Sequence, residues 1–556
     1  MHPVTGPVRS LAALLLAALV ASGPALAAPA AVAAPDREGA ATAEEILKAG
    51  GNAVDAAIAV AFTLAVTYPE AGNLGGGGFA TVLFNGKPYF LDYRESAPAA
   101  ASANMYLDAK GNVIPDASTI GAKAAGVPGT VAGLFALHQR FGHLSWKADV
   151  APALKRARDG FLVDAKLTAN RDSRAAELKG RTNFLSYFGK LATGQVLKQP
   201  ELAETLERIA TKGPDGFYKG QTAELIVAEM ARSGGIMTAA DLAAYKVEWR
   251  TPLEGEWQGY RVITAPLPSS GGVGLLSLLE MKADLADKFR GVAHNSPQYV
   301  HLLAEIEKRV FADRAEFFGD PKFSSAPIKE LLSPAYIARR AAEVNPDHLT
   351  PTSAVKPGLP SHHNTTHFSI VDHEGNAVSN TYTLNDDFGS AEVVQGAGFI
   401  LNNEMDDFSV KPGTPNIYGV VGSEANAIAP GKRPLSSMTP TILTRDGKVA
   451  LVIGTPGGSR IFTSVFQVIT NWHDFSMPLP KAVAATRIHH QLLPPDTIFE
   501  EAYAQLDRPT VEALTARGYK LVNQGWNGDI AAIEVGKDHA VAVADPRGRG
   551  VGKSID

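Results

Sequence analysis

Read for its hydrophobic pattern, the chain opens on an unbroken apolar block and then alternates between helical and strand periods. The block LAALLLAALVASG follows Arg9 and leads to Ala25-Leu26-Ala27. A basic start, a short apolar stretch and a small-residue end make residues 1–27 a signal peptide, cut most simply after Ala27. Ala31-Val32-Ala33 offers a second cleavage site. The apolar run is too short for a stable membrane span. TAEEILKAGG reads as a short helix closed by Gly50-Gly51. Asn52 then reads as the N-cap of NAVDAAIAVAFTLAVT, with Asp55 in the first turn. That segment is apolar on nearly every face, which predicts a deeply buried helix. NLGGGGFATVLFNGKPYFLDYRESAP predicts a glycine loop, a strand, an Asn-Gly turn and a second strand.

From about Gly126 to Glu343 the period is mostly helical, with strand-like stretches such as GYRVITAP. Ser353–Asn364 (SAVKPGLPSHHN) has no period and reads as a linker. Beyond it the pattern turns to strands: THFSIV, AVSNTYTL, PTILTRDG and KVALVIG, before GTPGGSR leads into the helix FTSVFQVITNW. Sheets with helices packed on them predict a layered architecture of α and β elements. At 556 residues the chain is long enough for a large core. Its net charge of −5, without long runs of one sign, favours neither nucleic acid nor an anionic membrane surface. Cysteine is absent, which excludes disulfides, thiolate metal sites and a cysteine nucleophile.

The chemistry concentrates at Asn364-Thr365. A threonine at the head of an alternating strand becomes, if the bond before it is cut, a residue carrying hydroxyl and amine together. Such a residue is nucleophile and base in one. If the turn DHEGN pairs Val371 with Ala377, Thr365 falls opposite Thr383, and Asn385 lies two residues on along the same face. An ordinary Thr-Thr cross-strand pair is the plainer reading of that register. Gly457 and Gly458 stand between a strand and a helix, where backbone N–H groups stabilise negative charge. A purely structural glycine turn is the alternative. Glu404, Asp406 and Asp407 form a carboxylate cluster, open to readings as a metal site, an ammonium site or a solvated loop. Arg94 is placed to hold a carboxylate or to pair with Glu95. His362-His363 and His489-His490 are adjacent pairs unsuited to shared chelation. The Gly75–Gly78 run lacks the Lys-Ser/Thr ending of a phosphate loop and reads as a close-packing element.

In order along the chain, GGNAVDAA, GNLGGGGF, LDYRESAP, GVPGTVAGL, PSSGG, ADRAEFFGDP, NTTHFSIVD, LNNEMDDF, KRPLSSMTPT and GTPGGSRI closely resemble the gamma-glutamyltranspeptidase family, from about Glu44 to about Arg547. The resemblance implies an α+β fold, the four-layer αββα sandwich of the N-terminal-nucleophile hydrolases, with two antiparallel sheets between helical layers. It implies a signal peptide over 1–27, a large subunit over 28–364 and a small catalytic subunit over 365–556, joined as a heterodimer after self-cleavage at Asn364-Thr365. Thr365 matches the nucleophile, Thr383 its supporting threonine, and Gly457 and Gly458 the oxyanion glycines. Arg94, Ser436 and Ser437 match the carboxylate-binding positions, and Asn385, Glu404 and Asp407 the ammonium-binding ones. Tyr418 resembles the aromatic residue of a lid loop. The implied activity is exported γ-glutamyl transfer from glutathione and related compounds to water, an amino acid or a peptide, without cofactor or metal. The alternatives are a glutaryl or cephalosporin acylase of the same fold and a non-catalytic γ-glutamyl-binding homologue. The chain departs from the pattern at its start, in PSSGGVG, which lacks the histidine or bulky residue often found after the glycines, and at Glu404, where many bacterial members have glutamine. Few residues separate the apolar block from TAEEILKAGG, where the family usually carries a further strand, so a core strand is expected to be missing.

Overall fold

The strand expected to be missing is present. In the computed structural model, which describes residues 29–355, 364–414 and 423–555, Ala30–Ala34 (AAVAA) form strand β1. All five residues are fully buried. Alanine is a poor strand former, and these residues read locally as part of the leader. They become a strand because both edges are paired: Val32 lies opposite Lys553 on one side and Ile370 on the other. The second candidate cleavage site, Ala31-Val32-Ala33, is therefore the middle of an interior strand. Residues 1–27 lie outside the described residues.

After β1 come helices α1 (Arg37–Lys48) and α2 (Ala53–Thr67). Then follow β2 (Gly77–Phe84), β3 (Lys87–Asp92), β4 (Glu248–Arg250), β5 (Leu253–Trp257) and β6 (Tyr260–Thr264). Helices α3 (Gly271–Asp284) and α4 (Pro297–Phe317) precede β7 (Asn364–Val371) and β8 (Ala377–Asn385). The last third holds β9 (Thr441–Arg445), β10 (Lys448–Gly454), helix α5 (Arg460–Asp474), β11 (Ala531–Val535), β12 (Ala540–Ala544) and β13 (Val551–Ile555). Two antiparallel sheets result, in the orders β13-β1-β7-β8-β2-β3-β4 and β12-β11-β10-β9-β6-β5.

The sheets stack through small apolar side chains, among them Ala31, Ala33, Val371, Ile442 and Ile533. Hydroxyls cross the seam to reach backbone carbonyls. Ser379 Oγ donates to Ile453 O at 3.1 Å, Ser369 Oγ to Ala531 O at 3.0 Å and Thr81 Oγ1 to Pro440 O at 2.7 Å. Helix α2 covers the first sheet, with Tyr382 Oη donating to Ala61 O at 2.9 Å. Every residue of α2 is buried, and Asn52 with Asp55 forms the reciprocal cap its sequence predicts. Helices α3, α4 and α5 cover the second sheet in a separate apolar core. The layers run helix, sheet, sheet, helix, the αββα order expected.

Because β1 joins β13 to β7, a chain beginning at Pro35 is expected to lose cooperative folding altogether. Two ladders and a fully buried strand would go at once, against a total stability of about 5–15 kcal/mol. Thermal circular dichroism checks this; a wild-type melt from the truncated chain would contradict it.

Candidate active site

Strand β7 supplies the suspected bond. Its backbone starts at Asn364 and Thr365, whose side chains lie outside the described residues. The predicted register holds from Val371–Ala377 to Thr366–Tyr382 and then breaks, since Asn364 pairs with Asn385. Thr383 and Leu384 thus oppose Thr365 alone, in a bulge rather than the simple Thr365–Thr383 pair expected. The bulge has a visible anchor. Asn73 Nδ2 donates to Thr383 O at 2.9 Å, and Asn73 Oδ1 accepts from Gly76 N at 3.0 Å. A side chain at Gly76 would put its Cβ 2.0 Å from that same carbonyl, so the Gly75–Gly78 run packs closely, as read. Thr383 Oγ1 accepts from Asn385 N at 2.7 Å, and Asn385 takes φ +83°. The bulge thereby re-aims Asn385, whose Nδ2 donates to Asn403 O at 3.0 Å.

Asn403 leads into the single turn Glu404–Asp407. Within it Asp406 accepts from Ser118 Oγ at 2.6 Å, and Glu404 and Asp407 meet Arg94. Arg94 follows β3 and is wholly buried. One Nη lies 2.7 Å from Glu404 Oε2 and 3.4 Å from Glu95 Oε2, and the other bonds Asp407 Oδ2. Three carboxylates therefore surround one guanidinium. Burial and Glu404 push Glu95 and Asp407 well above the usual carboxylate range, and burial raises Glu404 against the pull of Arg94. A buried cluster with surplus negative charge is stabilised by one more cation.

The loop before Ser436 passes the same guanidinium, with Arg94 Nε 3.4 Å from Pro434 O. Ser436 is pinned from behind: its carbonyl accepts from Ser270 N at 2.8 Å and Ser270 Oγ at 2.7 Å. Ser437 Oγ accepts from Arg314 Nη2 at 2.9 Å, and Arg314 Nε donates to Ser270 Oγ at 2.7 Å. Arg314 is a residue the sequence reading passed over, although ADRAEFFGDP contains it. Burial pushes its guanidinium down to about 9, against the pull of Asp407. Inside a long helix its spacing resembles that of any solvated arginine, so local pattern offered no signal.

Gly457 (φ +137°) and Gly458 (φ +64°) form the turn between β10 and α5. Both carbonyls accept from the first turn of the helix, while among the described residues neither N–H donates within the backbone. Two N–H groups at the start of a 15-residue helix suit a developing anion. Gly454, at the end of β10, packs on His367, two residues past Thr365; a Cβ there would fall 2.4 Å from the imidazole. The glycine turn and the head of β7 are thus neighbours. His367 is buried and held near 3, hence neutral, bonding Thr381 Oγ1 at 2.8 Å and Ser369 Oγ at 3.0 Å. His489 and His490 are fully buried, with His489 Nδ1 2.9 Å from Thr463 Oγ1. His362, His363 and Tyr418 lie outside the described residues. The fold therefore gathers Thr383, Asn385, Glu404, Asp407, Arg94, Ser436 and Ser437 into one connected cluster, with the glycine turn beside the head of β7.

Known proteins resemble this chain over much of its length. The gamma-glutamyltranspeptidase family model matches residues 39–555. The glutathione hydrolase proenzyme of Pseudomonas aeruginosa is 61% identical over 553 residues, spanning 99% of each chain. That of Escherichia coli is 44% identical over 513 residues, 90% of this chain and 88% of its own. Among solved structures, a gamma-glutamyltranspeptidase from Pseudomonas nitroreducens complexed with L-DON is 58% identical. It covers 58% of this chain and 97% of its own at a TM-score of 0.58. A cephalosporin acylase from Bacillus halodurans, 27% identical, covers 99% of this chain and 98% of its own at a TM-score of 0.82. With the fold, the cluster and a family match over most of its length in agreement, the chain belongs to the gamma-glutamyltranspeptidase family.

Proposed function

We propose that the chain is an exported precursor that cuts itself between Asn364 and Thr365 and then transfers γ-glutamyl groups from glutathione and related compounds. The observation that carries this reading is the buried cluster of Arg94 with Glu404 and Asp407, flanked by Asn385, Ser436 and Ser437. A γ-glutamyl donor ends in an α-carboxylate and an α-ammonium. Arg94 and the two serine hydroxyls suit the first; Glu404, Asp407 and the Asn385 amide suit the second. In the structure these opposite groups pair with each other, and the donor would part them by bringing one charge for each side.

Thr365 Oγ then attacks the γ-amide carbon, with the freed α-amine taking its proton and Thr383 supporting it. The Gly457 and Gly458 N–H groups receive the oxyanion, the leaving amine takes the proton, and an ester on Thr365 remains. Water or an acceptor amine resolves it. The residue roles require no metal or cofactor. Tyr418, outside the described residues, is assigned to the lid. The resulting subunits are 28–364 and 365–556, and removal of residues 1–27 leaves β1 whole. A solved relative chain that aligns over 97% of itself yet covers 58% of this one is what a cut precursor gives. No helix among the described residues is long and apolar enough to cross a membrane.

The ammonium half of the cluster separates this reading from an acylase. γ-Glutamyl-p-nitroanilide is expected to be cleaved about 30- to 150-fold faster (kcat/KM) than glutaryl-p-nitroanilide, which lacks only the α-amine; one lost ionic contact in a buried site is worth about 2–3 kcal/mol. Equal rates would favour the acylase reading.

A further inference from the structure

A second guanidinium stands beside the two serines. Arg314, in the last turn of α4, is 1% exposed. Its Nε donates to Ser270 Oγ at 2.7 Å and its Nη2 to Ser437 Oγ at 2.9 Å. Its chain neighbour Asp313 is engaged elsewhere, accepting from Tyr336 Oη at 2.8 Å and lying 3.2 Å from Arg340 Nη2. Arg314 is coupled instead to the carboxylate cluster, where Asp407 bears on it. Burial pushes its guanidinium down to about 9, which leaves it charged at neutral pH.

The hydroxyl hydrogens around it can be accounted for one by one. A guanidinium only donates and a carbonyl only accepts. Ser270 Oγ therefore accepts from Arg314 and spends its hydrogen on the Ser436 carbonyl at 2.7 Å. Ser437 Oγ accepts from Arg314, and the partner left for its hydrogen among the described residues is Ser270 Oγ at 3.4 Å, a weak contact. Ser436 Oγ accepts from Met438 N at 3.1 Å. Both serines are thus held as acceptors by the protein, with their hydrogens left for a group that accepts without donating. A carboxylate is such a group. The charges point the same way. Arg94 already meets Glu95, Glu404 and Asp407, so it presents no surplus positive charge to an arriving anion. Arg314 supplies that charge, and a hydroxyl that accepts from a cation becomes a stronger donor in turn.

We propose that Arg314 is a positioning residue that makes this corner select for the donor's α-carboxylate, acting through Ser437 and Ser270 without touching the substrate. The inference rests on the γ-glutamyl-transfer reading and deepens it. Two guanidiniums read the carboxylate end of the donor, Arg94 directly and Arg314 through hydroxyls.

The test uses the processed full-length enzyme and two donors, γ-glutamyl-p-nitroanilide and γ-aminobutyryl-p-nitroanilide, which lacks only the α-carboxylate. Arg314→Gln is expected to shrink the preference for the first donor (the ratio of kcat/KM values) about ten-fold, the scale of one lost charge-assisted contact. A merely structural defect would slow both donors alike and leave the ratio where it was. In a Ser437→Ala background the same change is expected to cost about three-fold less than in wild type, because a hydroxyl it acts through is gone. Ser270→Ala removes the hydroxyl between Arg314 and the Ser436 carbonyl and is expected to shrink the preference about three-fold, the scale of one neutral hydrogen bond. That small change decides the matter if Arg314→Gln does not fold. An unchanged preference in Arg314→Gln or, should that variant not fold, in Ser270→Ala overturns the proposal. So does an Arg314→Gln loss undiminished by Ser437→Ala, or a wild-type enzyme that cuts itself and cleaves both donors equally fast. A wild-type chain that neither cuts itself nor releases p-nitroaniline overturns the transfer reading beneath it, and the role of Arg314 falls with it.

Discussion

A Thr365→Ala variant is expected to remain one uncut chain and to lose γ-glutamyl turnover by at least ~10⁴-fold, about 5.5 kcal/mol of barrier at 1.36 kcal/mol per decade. In the proposed mechanism one residue supplies the attacking hydroxyl for the cut, the nucleophile for turnover and, once freed, the amine base. Alanine supplies no hydroxyl, so both processes stop together. No other threonine of β7 is in place to take over. Thr366 is buried, and its register partner is Tyr382, on the ladder before the bulge. Thr365→Ser keeps a hydroxyl and an amine and is expected to cut, more slowly. Gel electrophoresis and release of p-nitroaniline read both effects. A cleaved Thr365→Ala chain, or activity within ten-fold of wild type, would place the nucleophile elsewhere.

The second large effect is expected at Arg94→Gln. Removing this guanidinium leaves Glu95, Glu404 and Asp407 buried together without it. Breaking a buried ion pair from one side costs about 3–5 kcal/mol, because the stranded charges stay desolvated. The variant is expected to melt well below wild type and to lose donor binding. Its pH dependence has a definite sign. The three carboxyls are raised in the folded state, so that state holds more protons than the unfolded chain. Stability must then fall as pH rises from the ordinary carboxylate range, near 4, toward the raised folded values. Without Arg94 the rise is larger, and the gap between variant and wild-type melting temperature is expected to widen from pH 5 to pH 8. Scanning calorimetry at the two values checks it. A constant gap would mean that the carboxyls do not depend on Arg94 for their charge.

Most of the local structure was legible in the chain because its causes are local. Asn52 and Asp55 cap their helix with side chains three residues apart, and the turn after Val371 sets the β7–β8 register as far as Thr366–Tyr382. The bulge beyond that point has a distant cause, the grip of Asn73 on the Thr383 carbonyl across 310 residues, and no pattern in TYTLN announces it. Strand β1 failed for the same reason. AAVAA has little strand character, and its pairing with β13 and β7 comes from the far end of the chain. At the site, residue types and ordered motifs pointed to Arg94, Glu404 and Asp407, but not to their pairing with one another, which depends on the fold closing a separation of 313 positions between Arg94 and Asp407. Arg314 escaped notice because its task is to hold Ser437, a contact across 123 residues.

The central claim is that Asn364-Thr365 is the bond that makes the enzyme. Intact-mass spectrometry of the purified wild-type protein tests it most directly. The expected result is two species, one beginning at Thr365 and ending at Asp556, the other ending at Asn364 and lacking the first 27 residues. A single species of full-chain mass that still turns over γ-glutamyl-p-nitroanilide, or a cut at any other bond, would contradict the account.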